Sequence, residues 1–353
     1  MKNKINNITK MGMLMGLTPI MALCLALPVR AGTSTPPGQS KTSHGGGSGG
    51  GSSGHGSGGG SSGGGSAGVF YPTVTNMTQL IGDINYADQV GGTYTIYLQP
   101  NTTFTTGLPA IGGAKLVHLT IIGNGDTFNG PGNTGQDYQS RMFVVNPGSS
   151  LTLEQMTLQN GFVYATYGGA IYNSGTLTIS NCTLSGNTSV DRSDYLSSLR
   201  GVGGAIFNNG GTVSIYNSIL SDNLATGANP AGGAIYNQSG TVTISNSTFT
   251  NNSAVDTLLG IDVDPEYPQS GEGGAICTDS GTVTISHTSL TSNYASFRGG
   301  GICNGYYFPG TVIVENSSKI SGNTVDDVQN FGALYLDGTS IIDLLYGNAA
   351  ISF

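Results

Sequence analysis

The residues in this chain whose types could do chemistry are few, and most recur one repeat apart rather than in a cluster. Asp262, Asp264 and Glu266, in IDVDPE at 261–266, could offer oxygen ligands to Ca2+. Their spacing fits no familiar calcium loop, and exposed acids are commonly just solvated, so no cofactor is expected beyond that one alternative. Acid–base work on a polysaccharide would need carboxylates in one column of neighbouring repeats, whereas Glu154 and Glu315 stand isolated. The position after the Ile of a recurring phrase is more informative. It reads Tyr172, Phe207, Tyr236, Cys277, Cys303 and Tyr335 in successive repeats. Aromatic side chains facing outward at that spacing would form a stripe able to bind a sugar or protein partner. Cys277 and Cys303 would sit side by side, close enough to oxidise but with parallel rather than convergent side chains.

The phrase that must position these residues begins as GGAIYN at Gly168. It returns as GGAIFN at Gly203, GGAIYN at Gly232, GGAICT at Gly273, GGGICN at Gly299 and, in weaker form, FGALYL at Phe331. Each of the first five is followed by a GTxxI run, such as GTLTISN at 175 and GTVTISN at 240, and then by a third short strand ending at an Asn. Constant strands separated by variable gaps describe one turn of a solenoid. The length variation falls mainly after the third strand, in 188–202, 224–231 and 253–272, because loops absorb length at modest entropic cost when the coil beneath is fixed.

Period-two alternation assigns the faces. In GTVTIS the Val and Ile point one way and the Thr residues the other; in GGAIYN the Ile and Asn share a face that the Tyr opposes. Packing the aliphatic residues inward gives an all-β, single-stranded, right-handed parallel β-helix, the hand following the usual parallel crossover. Asn181, Asn217, Asn246 and Asn316, which close four of the GTxxI runs, are expected to stack as a corner ladder of amides. Thr176 and Thr178, with their counterparts in later repeats, would make a two-wide hydroxyl array. An exposed strand favours Thr in any case, and ice binding is the specialised alternative. Ahead of the repeats, TNMTQLIGDINYADQ at 75–89 places Leu80, Ile81, Ile84 and Ala87 on one helical face, with Thr75 or Asn76 as N-cap. Strands are expected at 93–98, 116–122, 142–145 and 151–158.

GGAIYN, GGAIFN and GGAICT, together with GTVTISNSTFTNN, resemble the repeats of bacterial polymorphic outer-membrane proteins. The stretch 74–104 is similar to the N-terminal cap of exported parallel β-helix repeat proteins. These likenesses cover about 69–353. Only Phe249-Thr-Asn-Asn252 keeps the Phe of the family's Phe-x-x-Asn motif; Leu184, Leu220, Leu290 and Ile320 replace it elsewhere. The resemblance implies a surface-displayed β-helix, passenger-like but without a membrane barrel of its own. Parallel β-helices also host polysaccharide lyases and hydrolases of the pectate-lyase type, which is the alternative.

Composition agrees with export. Residues 1–31 read as a signal peptide: three lysines in MKNKINNITK, an apolar core to Pro28, and VRA before Gly32. Residues 32–68 form a Gly/Ser-rich linker with nothing to bury. The β-helix domain then spans 69–353, with a cap at 69–92 and the GGAI repeats at 168–353. Cleavage leaves 7 basic residues against 19 acidic ones, a balance that repels nucleic acid and anionic headgroups. Membrane association would come only through a partner or surface retention. The expected function is non-catalytic adhesion or binding of a host or matrix glycan or protein at the outer-membrane surface or outside the cell. AAISF at 349–353 matches the start of another GGAI strand, and an open coil there would invite end-to-end association.

Overall fold

The computed structural model describes residues 72–100, 103–105, 107–130, 132, 141–191, 201–257, 270–305, 308–347 and 351–352. The expected signal peptide, the linker, and Asp262, Asp264 and Glu266 lie outside the described residues. Among them, no helix is long and apolar enough to cross a membrane.

The chain enters its ordered part through a helix at Met77–Val90. Asn76 starts it: its side chain accepts from the Gln79 backbone N–H at 3.1 Å, satisfying one of the N–H groups that a helix end leaves orphaned. Leu80, Ile84 and Ala87 are buried as the helical period requires, whereas Ile81 is only half-buried. Gly91 ends the helix at φ 76°, a conformation that favours glycine. The helix packs against Thr73–Val74 and Gly92–Leu98, and its buried residues join the core of the coils.

From there the chain winds as a parallel β-helix. Strands stack into sheets of eleven, eight, nine and five members among the described residues. One coil shows the plan: Ile235–Gln238 is the GGAI strand, Thr241–Ser245 the GTxxI strand, Thr248–Thr250 the third and Ser253–Asp256 a fourth. The fourth was not legible as a strand. Its inward positions carry Ser189, Ala225, Ala254 and Ala295, all fully buried but too small to give an apolar run. The expected variable loops therefore begin with a strand, and length varies only beyond it.

Registry is strict. Ile171, Ile206, Ile235, Ile276, Ile302 and Val328 pair in succession, as do Leu177, Val213, Val242, Val283, Val312 and Leu334. A slip of one residue would drive Thr into the core and expose Val. Each fully buried aliphatic side chain contributes about 1.5–3 kcal/mol, so unequal spacing in sequence cannot disturb the stacking.

Two strand placements depart from expectation. FGALYL does not continue the GGAI sheet: Ala333–Leu336 pairs with Thr311–Glu315 in the GTxxI sheet. The GGAI sheet runs instead through Val328–Asn330, paired with Ile302–Asn304. That segment lost its glycines but kept an inward Val and a terminal Asn, the two residues the core and corner require. Tyr335 accordingly stands beside Ile313, not in the aromatic column. By the same shift Ile351–Ser352 pairs with Tyr335–Leu336 in the GTxxI sheet and does not start a GGAI strand.

The expected amide ladder is also elsewhere. Asn181, Asn217, Asn246 and Asn316 are exposed and hold φ of 52°, 52°, 48° and 54°. They turn the corner by adopting the left-handed conformation that Asn tolerates, and His287 does the same at 48°. The ladder is instead the buried Asn187, Asn223, Asn252 and Asn293, followed by the half-buried Asn323. Each of the first four donates its Nδ2 and its backbone N–H to the Oδ1 of the next at 2.9–3.1 Å. Each Nδ2 also donates to a carbonyl of the preceding coil, such as Leu220 for Asn252. Asp327 ends the row by accepting from both Asn323 groups; a carboxylate that only accepts suits a last position. A second ladder runs through the Asn of the GGAI phrase, Asn173 to Asn208 to Asn237.

Candidate functional site

The double glycine builds the outward column. The first Gly of each pair has φ between 60° and 69° at Gly168, Gly203, Gly232, Gly273 and Gly299. The second lies so close to the next coil that a Cβ on Gly204 would stand 2.1 Å from the Gly233 carbonyl oxygen. The resulting corner folds the residue before the pair over the outward residue after the Ile. Four of these covering residues, Val202, Ala231, Glu272 and Arg298, bridge one another in a thin parallel ladder of their own.

Beneath the cover the column is in register, Tyr172 beside Phe207, then Tyr236, Cys277 and Cys303. It is not an open stripe. Phe207 is 3% exposed and Tyr236 5%, both cysteines are fully buried, and all belong to a small second core with Val202 and Ala231. Tyr167 stacks on Phe207 at 4.7 Å between centroids, and Phe207 on Tyr236 at 5.6 Å with the rings within 3° of parallel. The Tyr236 hydroxyl donates to the Asp279 carboxylate. Tyr172 is half-buried, with its hydroxyl accepting from Asn209 at 2.8 Å and the Arg141 guanidinium 5.5 Å from its ring centroid. That guanidinium donates to the carbonyls of Tyr167 and Gly168, and burial lowers its pKa to about 10. Phe207 and Tyr236 are therefore packing residues, which corrects their expected role as a binding surface; Tyr335 drops out by its placement in another sheet. Alternation shows that a side chain faces away from the first core, but a second layer over it depends on the preceding corner.

Past Cys303 the column continues through Gln329 to Tyr346, and here the cover opens. Phe297, Arg298, Val325, Asp326, Gln329, Leu344, Leu345 and Tyr346 line a cavity of about 330 Å³. The Gln329 side chain is 1% exposed, and its Nε2 has no hydrogen-bond partner. The Arg298 guanidinium lies 4.2 Å from the Phe297 ring centroid and 5.4 Å from that of Phe331. Asp326 accepts from the Gly299 N–H; burial raises its carboxyl above the usual range despite that bond. Val325 takes φ 84°, a conformation costly for a β-branched residue, where earlier coils have glycine. Tyr346 is 64% exposed. The sequence carried one signal of this site, Val325-Asp326-Asp327 standing where the preceding coil has Gly299-Gly300-Gly301.

The hydroxyl array is in register as expected, with Thr176 beside Thr212, Thr241, Thr282 and Thr311, and Thr178 beside Ser214, Thr243 and Thr284 before Ile313 breaks it. Comparison of the chain with family models, with curated proteins and with solved structures gave no match.

Proposed function

We propose that this protein is an exported β-helix that binds a glycan without transforming it, at a bacterial surface or outside the cell, through the cavity at the open end of its outward column. The observation that carries this reading is the cavity itself, within the usual range for small-ligand sites and lined by Arg298, Asp326, Gln329 and Tyr346, with the unpartnered Gln329 amide nitrogen buried just behind that lining. Beside it stand the chemical features that suit a sugar ring. Tyr346 offers an exposed aromatic face for its C–H side; Asp326 and Gln329 offer planar hydrogen-bonding groups, and Arg298 fixed donors. The signal peptide and the Gly/Ser linker read in the sequence supply the route out and the reach.

The test is titration calorimetry of neutral and acidic oligosaccharides against the wild type and Gln329→Leu. Binding that falls at least about tenfold in the variant, with unchanged circular dichroism, supports the reading, since a lost hydrogen bond to a buried group is worth about that much. Equal binding by both proteins removes the cavity from consideration. Release of sugar fragments or unsaturated products by purified protein would replace it with the lyase or hydrolase reading.

A further inference from the structure

We propose that Glu272, Cys277 and Cys303, none of which lines the cavity described above, form a binding site for a zinc-type divalent ion. One carboxylate oxygen and the two sulfurs all lie within 4.8 Å of one another. Zn–S distances near 2.3 Å and Zn–O distances near 2.0 Å place two sulfurs of a tetrahedral site about 3.8 Å apart and a sulfur and an oxygen about 3.5 Å apart, so the three donors need to close by at most about 1.3 Å to share an ion. Two thiolates and a carboxylate are also the donor types that select zinc over calcium or magnesium.

The fold produces this set from two of its own rules. Strict register puts Cys277 beside Cys303, and the glycine corner folds Glu272 over the outward column one coil at a time. The same register disfavours the competing chemistry. Cβ atoms of neighbours in a sheet follow the strand spacing of about 4.8 Å, whereas a disulfide draws them to about 3.8 Å with convergent geometry. An ion between the sulfurs spans the wider gap. Both thiols are free and fully buried.

Charge around the site is accounted for. Two thiolates and Glu272 against a dication leave one negative charge, and Arg298, next to Glu272 in the covering ladder, offsets it. Asp279 is already engaged by the Tyr236 hydroxyl. A metal takes the thiolate, not the thiol, so binding reads as two thiols plus M2+ giving the dithiolate complex and two protons. Three protein ligands leave a fourth position for water, and the half-buried Glu272 marks the route in. Only a thin ladder of single bridges covers that route.

The experiment uses the full chain, reduced and stripped of metal, titrated with Co2+ and then Zn2+. The expected results are sulfur-to-cobalt charge-transfer absorption saturating at one ion per chain, its bleaching by Zn2+, and release of two protons. Cys277→Ser and Cys303→Ser should each abolish the band, and Glu272→Gln should weaken binding at least about tenfold. Because a serine variant could misfold, alkylation of the wild type supplies a second readout: bound Zn2+ should protect Cys277 and Cys303, leaving Cys24 and Cys182 as before. Absence of the band with all thiols free would overturn the proposal. So would a Cys277–Cys303 disulfide in the protein as purified, detected by intact mass and thiol count.

Discussion

The two ends of the outward column are built on one register and behave oppositely. From Tyr172 to Cys303, residues ahead of glycine corners lie over the column, and the aromatics become a second core. From Gln329 to Tyr346 the glycines are gone, Val325 takes the strained turn, and a cavity opens beside the buried, unpartnered Gln329 amide. The contrast teaches that exposure of an outward residue in this solenoid is decided by the corner before it and only secondarily by its own strand.

The sharpest way to break the comparison is to empty the sealed end. Phe207→Ala should cost about 3–5 kcal/mol, as for a buried aromatic, whereas Tyr346→Ala at the open end should cost less than about 1 kcal/mol. Equal losses in urea unfolding would mean that the cover does not seal. Next in size is the corner chemistry. Asn252→Ala should destabilise by about 2–3 kcal/mol, because it strands the donors of Asn223 in the interior. Asn246→Gly should stay within about 0.5 kcal/mol, since that corner asks only for positive φ; the reverse order would restore Asn246 as the ladder residue.

Val325→Gly probes the open end itself. Relief of a strained φ, less the entropy of a new glycine, should raise stability by about 0.5–1 kcal/mol, read as a higher Tm. A lower Tm would show that the valine side chain is needed for packing.

The smallest effect expected is a pH slope. Asp326 holds its proton more tightly folded than unfolded, so between its ordinary value and its raised one the native state binds more protons. Stability should therefore fall as pH rises through that window, and Asp326→Asn should flatten Tm against pH there. A slope unchanged by the substitution would place the titration elsewhere.

Much of the coil was legible because repetition and period two constrain each other. The inward Ile and Val, the parallel stacking and the helical entry at Asn76 all follow from pattern. The fourth strand escaped because its inward Ala and Ser carry no apolar signal. FGALYL and the terminal AAISF carry the look of the GGAI phrase, but the inward Val and corner Asn of Val328–Asn330 are what hold a place in that sheet. Residue type alone does not separate Asn181 and its equivalents from the ladder, because an Asn that stacks and one that turns look the same until φ is known.

Which side of each strand enters the core follows from the alternation of apolar and polar residues. Exposing Val and burying Thr is costly at every coil, and the cost multiplies along the stack. What lies over the outward side is settled by contacts between coils. Whether Phe207 faces water or Tyr167, and whether Glu272 reaches Cys277 and Cys303, depends on corners that bring together residues up to several tens of positions apart, where composition carries no record of contact.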